Sequence, residues 1–355
     1  MKKAPTLKDV ALLAGVSPYT VSAVINGARS NTQVSEATRR RIVESAATVN
    51  YHPNAVARSL SSRRTFYIGV QFGVLDPVEA IGNTYASAVL HGIMREAAAH
   101  RYNVVLFTQA WVNAKQSAPA FRDRRTDGVI LVAPLSDTDM LSALSELPLA
   151  LVAISPPATA DGNPVPSVDV DNAHGIYLAV RHLADLGHTR IAHITGNANV
   201  GSVRERAEAF HDSLMRCGLP VAPAGYVVEA TYDATTVSDL LPGLLALSEP
   251  PTAIVAGNDN IALAVIAACR ALGVRVPEEL SVVGFDDIPT AKAVTPALTT
   301  VRQPLSLIGA EATRLLIAQI EESWEPSDDD PQTEISFRLT PELIVRASTA
   351  PASAR

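Results

Sequence analysis

Cysteine is almost missing from this chain: only Cys217 and Cys269 occur, far apart in helical-looking segments. That excludes a disulfide framework and gives no metal-ligand spacing, so both read as small core residues. Long apolar runs are missing too. The longest, such as Ile261 to Cys269, fall well short of the roughly 18 residues of a membrane span, and no membrane partner is expected. The start, "MKKAPTLKDV", has the basic character of an export signal without the apolar stretch of about 7–15 residues that should follow it; the expected location is the cytoplasm. No phosphate-cradling glycine loop and no nucleophile elbow occur, and no internal repeat is found.

What is present is length and an uneven charge. The 355 residues, 47% of them hydrophobic, suffice for two or three domains with substantial cores. Net charge is −7, but residues 1–64 hold ten lysines and arginines against three acids, a head of +7 on a body of −14. A basic head on an acidic body points to a polyanionic partner for the head alone.

Residues 6–50 read as three short helices. Thr6 can cap the first, with Asp9 three residues on, and Leu7, Val10, Ala11 and Ala14 form one apolar stripe until Gly15 breaks it. Ser17 is a good N-cap for the second, and Pro18 falls at the first helical position, where a missing N–H costs nothing. Val21, Val24 and Ile25 then face the first helix, leaving Tyr19, Thr20 and Ala23 outward. A third helix opens at Val34-Ser35, runs through Ile42, Val43, Ala46 and Val49, and stops before Pro53. Two helices joined by a tight glycine turn form a helix-turn-helix, whose second helix can present its N-terminal side chains to the major groove. His52 to Arg64 follows, with helical preference only from Asn54 to about Leu60; it is too short to hold alone in water and reads as a linker that frays until something orders it.

From Phe66 the pattern changes. Runs such as "FYIGVQF", "NVVLF", "GVILVAP", "LALVAIS", "RIAHITG", "TAIVAG" and "LSVVGF" alternate with amphipathic stretches. Continuous hydrophobicity marks strands buried on both faces, hence parallel sheets covered by helices, and about 280 residues of it divide naturally into two doubly wound lobes. The fold class expected is an all-α helix-turn-helix head plus an α/β core of two doubly wound parallel-sheet lobes. Ligands of such sheets bind beyond the carboxyl ends of the strands. "EESWEPSDDDPQ", Glu321 to Gln332, reads as an exposed acidic loop.

"TLKDVALLAGVSPYTVSAVING", "YHPNAVARSL", "DNAHGIYLAVRHLADLGHTRIAHITG", "GNDNIALAVIAA", "LSVVGFDDIP", "TPALTTVRQP" and "PELIVRAST" together, in this order and over nearly the whole chain, resemble the transcription regulators of the lactose-repressor and galactose-repressor (LacI/GalR) family. The resemblance implies a homodimer on a pseudo-palindromic double-stranded DNA operator, with a core like a periplasmic sugar-binding protein and no cofactor. The divisions expected are a head at 1–52, a hinge at 53–65 and a core at 66–350. Within the core, the N-lobe is expected at about 66–166 and 298–325, and the C-lobe at about 167–297 and 333–347. By the same resemblance, Pro18, Tyr19 and Ala23 face base edges, while Ser17, Thr20, Ser22, Asn26 and Asn54 mostly hold the phosphate backbone. Thr6 and Ala57 complete the DNA-facing set. Hydroxyls and amides can anchor phosphate oxygens, whereas Tyr19 can exchange a hydrogen bond with a base and Pro18 can make only apolar contact. Leu60 matches the family's wedge, which enters the minor groove and bends the duplex. "GARSNTQ" after Asn26 is about three residues longer than the family places there, so Arg29 is left without a contact.

In the core, the resemblance makes Arg206 the effector-binding arginine, with Asp286 its partner across the cleft and Asn258 and Gln303 at pocket positions. A guanidinium fork and a carboxylate can together grip adjacent hydroxyls of a sugar ring or an anionic group. Phe72, Trp111 and Phe285 are candidates for an apolar or stacking wall. Ala153 stands where family members often have an aspartate, which removes one hydroxyl acceptor. A small-molecule effector, a sugar or sugar derivative, is expected, and the expected function is effector-controlled repression of transcription. A sugar-binding protein without DNA activity is the alternative that the core alone would permit. His174, His182, His188 and His193 fit no ordinary zinc spacing. The acid pairs Asp169/Asp171 and Asp286/Asp287 lie in blocks explained by folding or binding rather than by glycosidase chemistry; no enzyme and no metal are expected. No heptad segment follows "PELIVRAST", which argues against a zipper tetramer.

Overall fold

A computed structural model describes residues 5–26, 34–52, 59, 64–73, 82–157, 165–230, 234–321 and 336–353. The segment 322–335, which holds most of the acidic loop, lies outside them, as do Asn54, Ala57 and Leu60 of the hinge. The chain divides into two compact units, one of residues 1–67 with 123–127 and one of residues 68–122 with 128–355.

In the head, α1 (Leu7–Ala14), α2 (Pro18–Asn26) and α3 (Glu36–Thr48) follow the expected pattern. The Thr6 N–H and hydroxyl both donate to the Asp9 carboxylate, at 2.7 and 2.8 Å, and Gly15 at φ +62° ends α1 in the left-handed region. Ser17 Oγ accepts the Thr20 N–H at 3.1 Å at the start of α2, and Ser35 does the same for Thr38 in α3. Val10, Ala11, Ala14, Val21, Ile42 and Ala46 form the core, ringed by Leu7, Val16, Val24, Ile25, Val49 and Tyr51. Arg41 Nε–H donates to the Ala14 carbonyl at 2.8 Å, tying α3 to the end of α1. One expectation is corrected here: Val43 is exposed, and Ser45 is buried instead. Ile42, Ser45, Ala46 and Val49 keep the i, i+3, i+4, i+7 spacing of one face, which Val43 leaves by about 100°.

The core contains two six-stranded sheets. The first comprises β1 (Tyr67–Phe72), β2 (Asn103–Leu106), β3 (Gly128–Val132), β4 (Ala150–Ile154), β5 (Ser167–Val170) and β11 (Ser336–Leu339), in the order β11-β5-β4-β3-β1-β2. The second comprises β6 (Ile191–Thr195), β7 (Val227–Glu229), β8 (Ala253–Ala256), β9 (Ser281–Asp286), β10 (Thr299–Arg302) and β12 (Glu342–Ile344), in the order β12-β10-β9-β8-β6-β7. Parallel ladders run through both, and the edge strand β12 pairs antiparallel with β10. The connecting helices include α4 (Thr84–Ala99) and α5 (Met140–Ser145), then α6 (Asn172–Asp185), α7 (Gly201–Arg216) and α8 (Ala234–Leu245), and lastly α9 (Asp259–Leu272) and α10 (Leu305–Ile320). α4 and α10 cross so closely that a Cβ on Gly92 would collide with the Ser306 carbonyl, and one on Gly309 with the Val89 carbonyl. Among the described residues no helix is long and apolar enough to cross a membrane.

The lobe boundaries shift from those expected. β5 pairs with β4 (Ala153 opposite Ser167), so residues 167–170 belong to the first lobe. β10 pairs with β9, which puts 299–302 in the second lobe, and β11 pairs with β5 in the first. These strands escape a hydrophobicity reading because polar side chains alternate with the apolar ones. In β5, Val168 and Val170 are fully buried while the intervening Asp169 is buried by hydrogen bonding rather than by apolarity. The chain therefore crosses between lobes after β5, after β10 and between β11 and β12.

Candidate functional site

Each sheet reverses its strand order once, between β1 and β3 in the first and between β6 and β8 in the second. The strand ends there open on a common cavity. Phe72 ends β1, Ala133 follows β3, and Asn83 and Tyr85 come from the start of α4. From the second lobe come Ser202 and Arg206 of α7, Asn258 and Asn260 at the start of α9, Asp286 at the end of β9 and Gln303 after β10. The backbone is strained at this rim: Ala133 has φ +48° and Asp286 φ +129°, regions that cost a non-glycine residue about 1–3 kcal/mol.

The polar side chains are held before any ligand arrives. Arg206 Nε–H donates to Asn172 Oδ1 and Nη1–H to the Gly257 carbonyl, both at 2.7 Å, and its guanidinium lies over the Phe285 ring. Gln303 Nε2–H donates to Asp286 Oδ1 at 2.6 Å. Among the described residues no ion pair joins Arg206 to Asp286, and one expectation is corrected: both belong to the second lobe, so Asp286 does not face Arg206 across the cleft between the lobes. Burial pushes the Asp286 carboxyl above the ordinary range, Arg206 pulls it back, and the nearby Asp259 raises it again. Asp259, fully buried beneath it, is also pushed up by burial, while it accepts from the Thr300 hydroxyl and the Ile288 N–H. Asn258 Oδ1 caps α9 by accepting the Ile261 N–H at 2.9 Å, so its amide N–H groups are what it can offer a ligand. Burial together with the Asp169 charge keeps the Tyr85 hydroxyl protonated.

The two lobes are also joined directly. Ser136 N–H donates to the Asn199 carbonyl at 2.9 Å, Asn199 Nδ2–H to Asp137 Oδ2 at 2.8 Å, and Leu135 forms an isolated antiparallel bridge with Val200. Ala133, Val200, Val203 and Leu135 pack together beneath this clasp.

Of the side chains expected around the effector, Phe72, Arg206, Asn258, Asp286 and Gln303 line the cavity. Trp111 is corrected: it packs against Phe121, with ring centroids 6.0 Å apart, and its indole N–H donates to Asp139 Oδ1 at 2.7 Å, away from the cavity. Phe285 is fully buried and serves as the platform under Arg206 rather than as a wall. Ala153 is buried in the first lobe's core. Asn83, Tyr85, Ser202 and Asn260 were not anticipated; all four sit just after strand ends or at helix starts, the only sequence signal that marked them. Within the acid pairs, Asp171 caps α6 by accepting the His174 N–H and Asp287 pairs with Arg302 and Arg346, while Asp286 lines the cavity.

In the head, Thr6, Ser17 and Pro18 are exposed, as is Tyr19 at 62%, while Thr20, Ser22 and Ala23 are half-buried. Thr20 Oγ1 and Ser17 Oγ are hydrogen-bonded to each other at 2.8 Å. The Asn26 side chain, like Asn54, Ala57 and Leu60, lies outside the described residues.

Two family descriptions match the chain: "Bacterial regulatory proteins, lacI family" over residues 6–54 and "Periplasmic binding protein-like domain" over 180–349. The HTH-type transcriptional repressor PurR of Aliivibrio fischeri is 33% identical over 353 residues, covering 97% of this chain and 98% of its own. The PurR repressor of Photobacterium profundum is 31% identical over 349 residues, covering 97% and 98%. Among solved structures, the lac repressor dimer bound to operator and the anti-inducer ONPF has a TM-score of 0.81 at 27% identity, covering 98% of this chain and 100% of its own. The transcriptional regulator CelR in complex with cellobiose has 0.73 at 29%, covering 97% and 99%.

Proposed function

The chain belongs to the lacI family of bacterial regulatory proteins and is a DNA-binding transcriptional repressor, not an enzyme; from that premise we propose that a sugar or sugar derivative in the Arg206–Asp286 cavity sets its affinity for a pseudo-palindromic operator, which it grips as a cytoplasmic homodimer. Relatives that are repressors over their whole length displace the alternative of a sugar-binding protein without DNA activity.

The observation that carries the sugar reading is the composition of the cavity wall. Arg206 offers donors, Asp286 acceptors, and Asn83, Ser202, Asn260 and Gln303 contribute amide and hydroxyl groups, around apolar Phe72 and Val203. Hydroxyls that both donate and accept, on a ring with apolar faces, suit such a wall. On the DNA side, Pro18, Tyr19 and Ala23 of α2 meet base edges in this reading, with Ser17, Thr20, Ser22, Asn26 and Asn54 on the phosphate backbone and Leu60 in the minor groove. Ligand in the cavity alters the angle between the lobes and with it the spacing of the paired hinge segments. Coupling of about 1–3 kcal/mol suffices for a roughly 5–150-fold change in operator affinity.

The test is a thermal-shift screen of mono- and disaccharides, sugar phosphates and nucleobases, followed by gel shifts on the DNA upstream of the protein's own gene with each hit. Stabilisation by a sugar that also changes operator affinity is expected. Stabilisation by a nucleobase and by no sugar overturns the sugar reading. Phosphate contacts also require log K to fall by about 0.9 per neutralised phosphate as log salt rises, and a flat salt response contradicts the proposed DNA contacts.

A further inference from the structure

Asn172 does not line the cavity, yet it is fully buried directly behind it. It is the first residue of α6, at the point where the chain leaves β5 of the first lobe for the second. Its side chain touches both. Oδ1 accepts from Arg206 Nε at 2.7 Å; Nδ2 donates to Glu205 Oε2 at 3.0 Å, and to Asp169 Oδ2 and the Val170 carbonyl at 3.3 Å each. The orientation of the amide is fixed by chemistry. A guanidinium can only donate, and carboxylates and carbonyls can only accept, so the flipped amide would face every partner wrongly.

These partners are themselves anchored. Arg338 of β11 donates to Glu205 Oε2 at 2.9 Å and to the Val170 carbonyl at 3.3 Å. Ser155 Oγ–H donates to Asp169 Oδ1 at 2.8 Å, and so does the Val170 N–H at 2.7 Å. Asn172 is thus immobilised by a connected polar network that runs from the buried Asp169 to the half-exposed Glu205 and Arg338, and it in turn holds one edge of Arg206.

The rest of Arg206 is equally constrained: one face is on Phe285, and one Nη1 proton is on the Gly257 carbonyl. Only the remaining Nη hydrogens are left for a ligand. A guanidinium fixed by its Nε presents them as a planar fork; one free to turn about its last side-chain bonds does not. We infer that Asn172 is a positioning residue, which sets the angle at which Arg206 meets the effector. This rests on the reading of Arg206 as an effector contact, but it is tested without any effector.

The experiment uses the full chain labelled with ¹⁵N-arginine, and observes the Arg206 Nε–H resonance, assigned by its disappearance in Arg206→Lys. In the wild type this proton should exchange slowly with water. In Asn172→Ala, exchange should speed up about tenfold or more, the equivalent of losing a hydrogen bond to a charged group. Asn172→Asp keeps the acceptor while placing a carboxylate beside Asp169 and Glu205; it should restore slow exchange even though it lowers the melting temperature. A role confined to packing would not produce that rescue. Unchanged exchange in Asn172→Ala, or fast exchange in folded Asn172→Asp, overturns the inference. Fast exchange of this proton in the wild type overturns it without any variant, whatever the sugar screen returns.

Discussion

The guanidinium carbon of Arg206 lies over the Phe285 ring, 3.7 Å from its centroid. The ring is buried, so it can attract the cation without competing water, an interaction of about 2 kcal/mol when desolvated. Lysine at this position would keep the charge but lose the planar stack and the fork. Arg206→Lys is therefore expected to weaken effector binding about 10- to 200-fold, the equivalent of about 1.4–3 kcal/mol of charged hydrogen bonding. Calorimetric titration with a sugar that stabilises the wild type checks this; equal affinity would show that the cation alone suffices.

Asp286 titrates the opposite way from an exposed aspartate in a salt bridge. Burial raises its pKa in the fold, so its contribution to stability is greatest below the unfolded value of about 3.9 and is lost as pH rises through the folded value. Asp286→Asn should thus gain stability relative to wild type between pH 5 and pH 8, read from urea unfolding. Effector binding should show the complementary trend. If sugar hydroxyls donate to the carboxylate, wild-type affinity rises with pH over this range and the variant's does not. A wild-type profile as flat as that of the variant would remove Asp286 from direct contact.

His193 is buried against Phe210, with ring centroids 5.0 Å apart; its Nδ1–H donates to the Val255 carbonyl at 2.8 Å, and its Nε2 has no partner among the described residues. Burial is the main cause that pulls its pKa down to about 4. The folded state therefore binds fewer protons than the unfolded one between about pH 6.5 and 4, and stability falls as pH drops through that window by about 1.4 kcal/mol per unit. Acidifying from pH 6.5 to 5 should cost roughly 2 kcal/mol through this group. His193→Asn retains the donor to Val255 without titrating, and should flatten that part of the urea-unfolding profile while lowering stability at pH 7.

Tyr19 is exposed on α2 and its removal should leave the head folded, within about 0.5 kcal/mol of wild type. Tyr19→Ala is expected to lower operator affinity by about 1–3 kcal/mol and to relax preference at one base pair in each half-site. Gel shifts across a set of single-base operator variants would show it. A uniform loss over all sequences would instead make Tyr19 a backbone contact.

The helix-turn-helix was legible because its signals are local: a cap at Ser17, Pro18 at the first helical position, and apolar spacing that needs no partner to be read. The seven hydrophobic runs of the core likewise became strands β1–β4, β6, β8 and β9. What escaped was carried by polar residues in buried places. Ser167 and Asp169 in β5, and Thr299 and Thr300 in β10, sit in the sheet because hydrogen bonds satisfy them, and no hydropathy pattern reports a bond to a residue tens of positions away. For the same reason Tyr85 and Asn172 gave no signal, while Trp111, a large aromatic just after a strand, looked like a pocket wall until Asp139 and Phe121 were seen to hold it elsewhere.

The bridge between Leu135 and Val200, with its neighbouring bonds from Ser136 and Asn199, ties the first lobe to the second by protein atoms alone. Any change in the angle between the lobes has to stretch or break these bonds, so their strength is subtracted from whatever a bound molecule contributes to holding the lobes together.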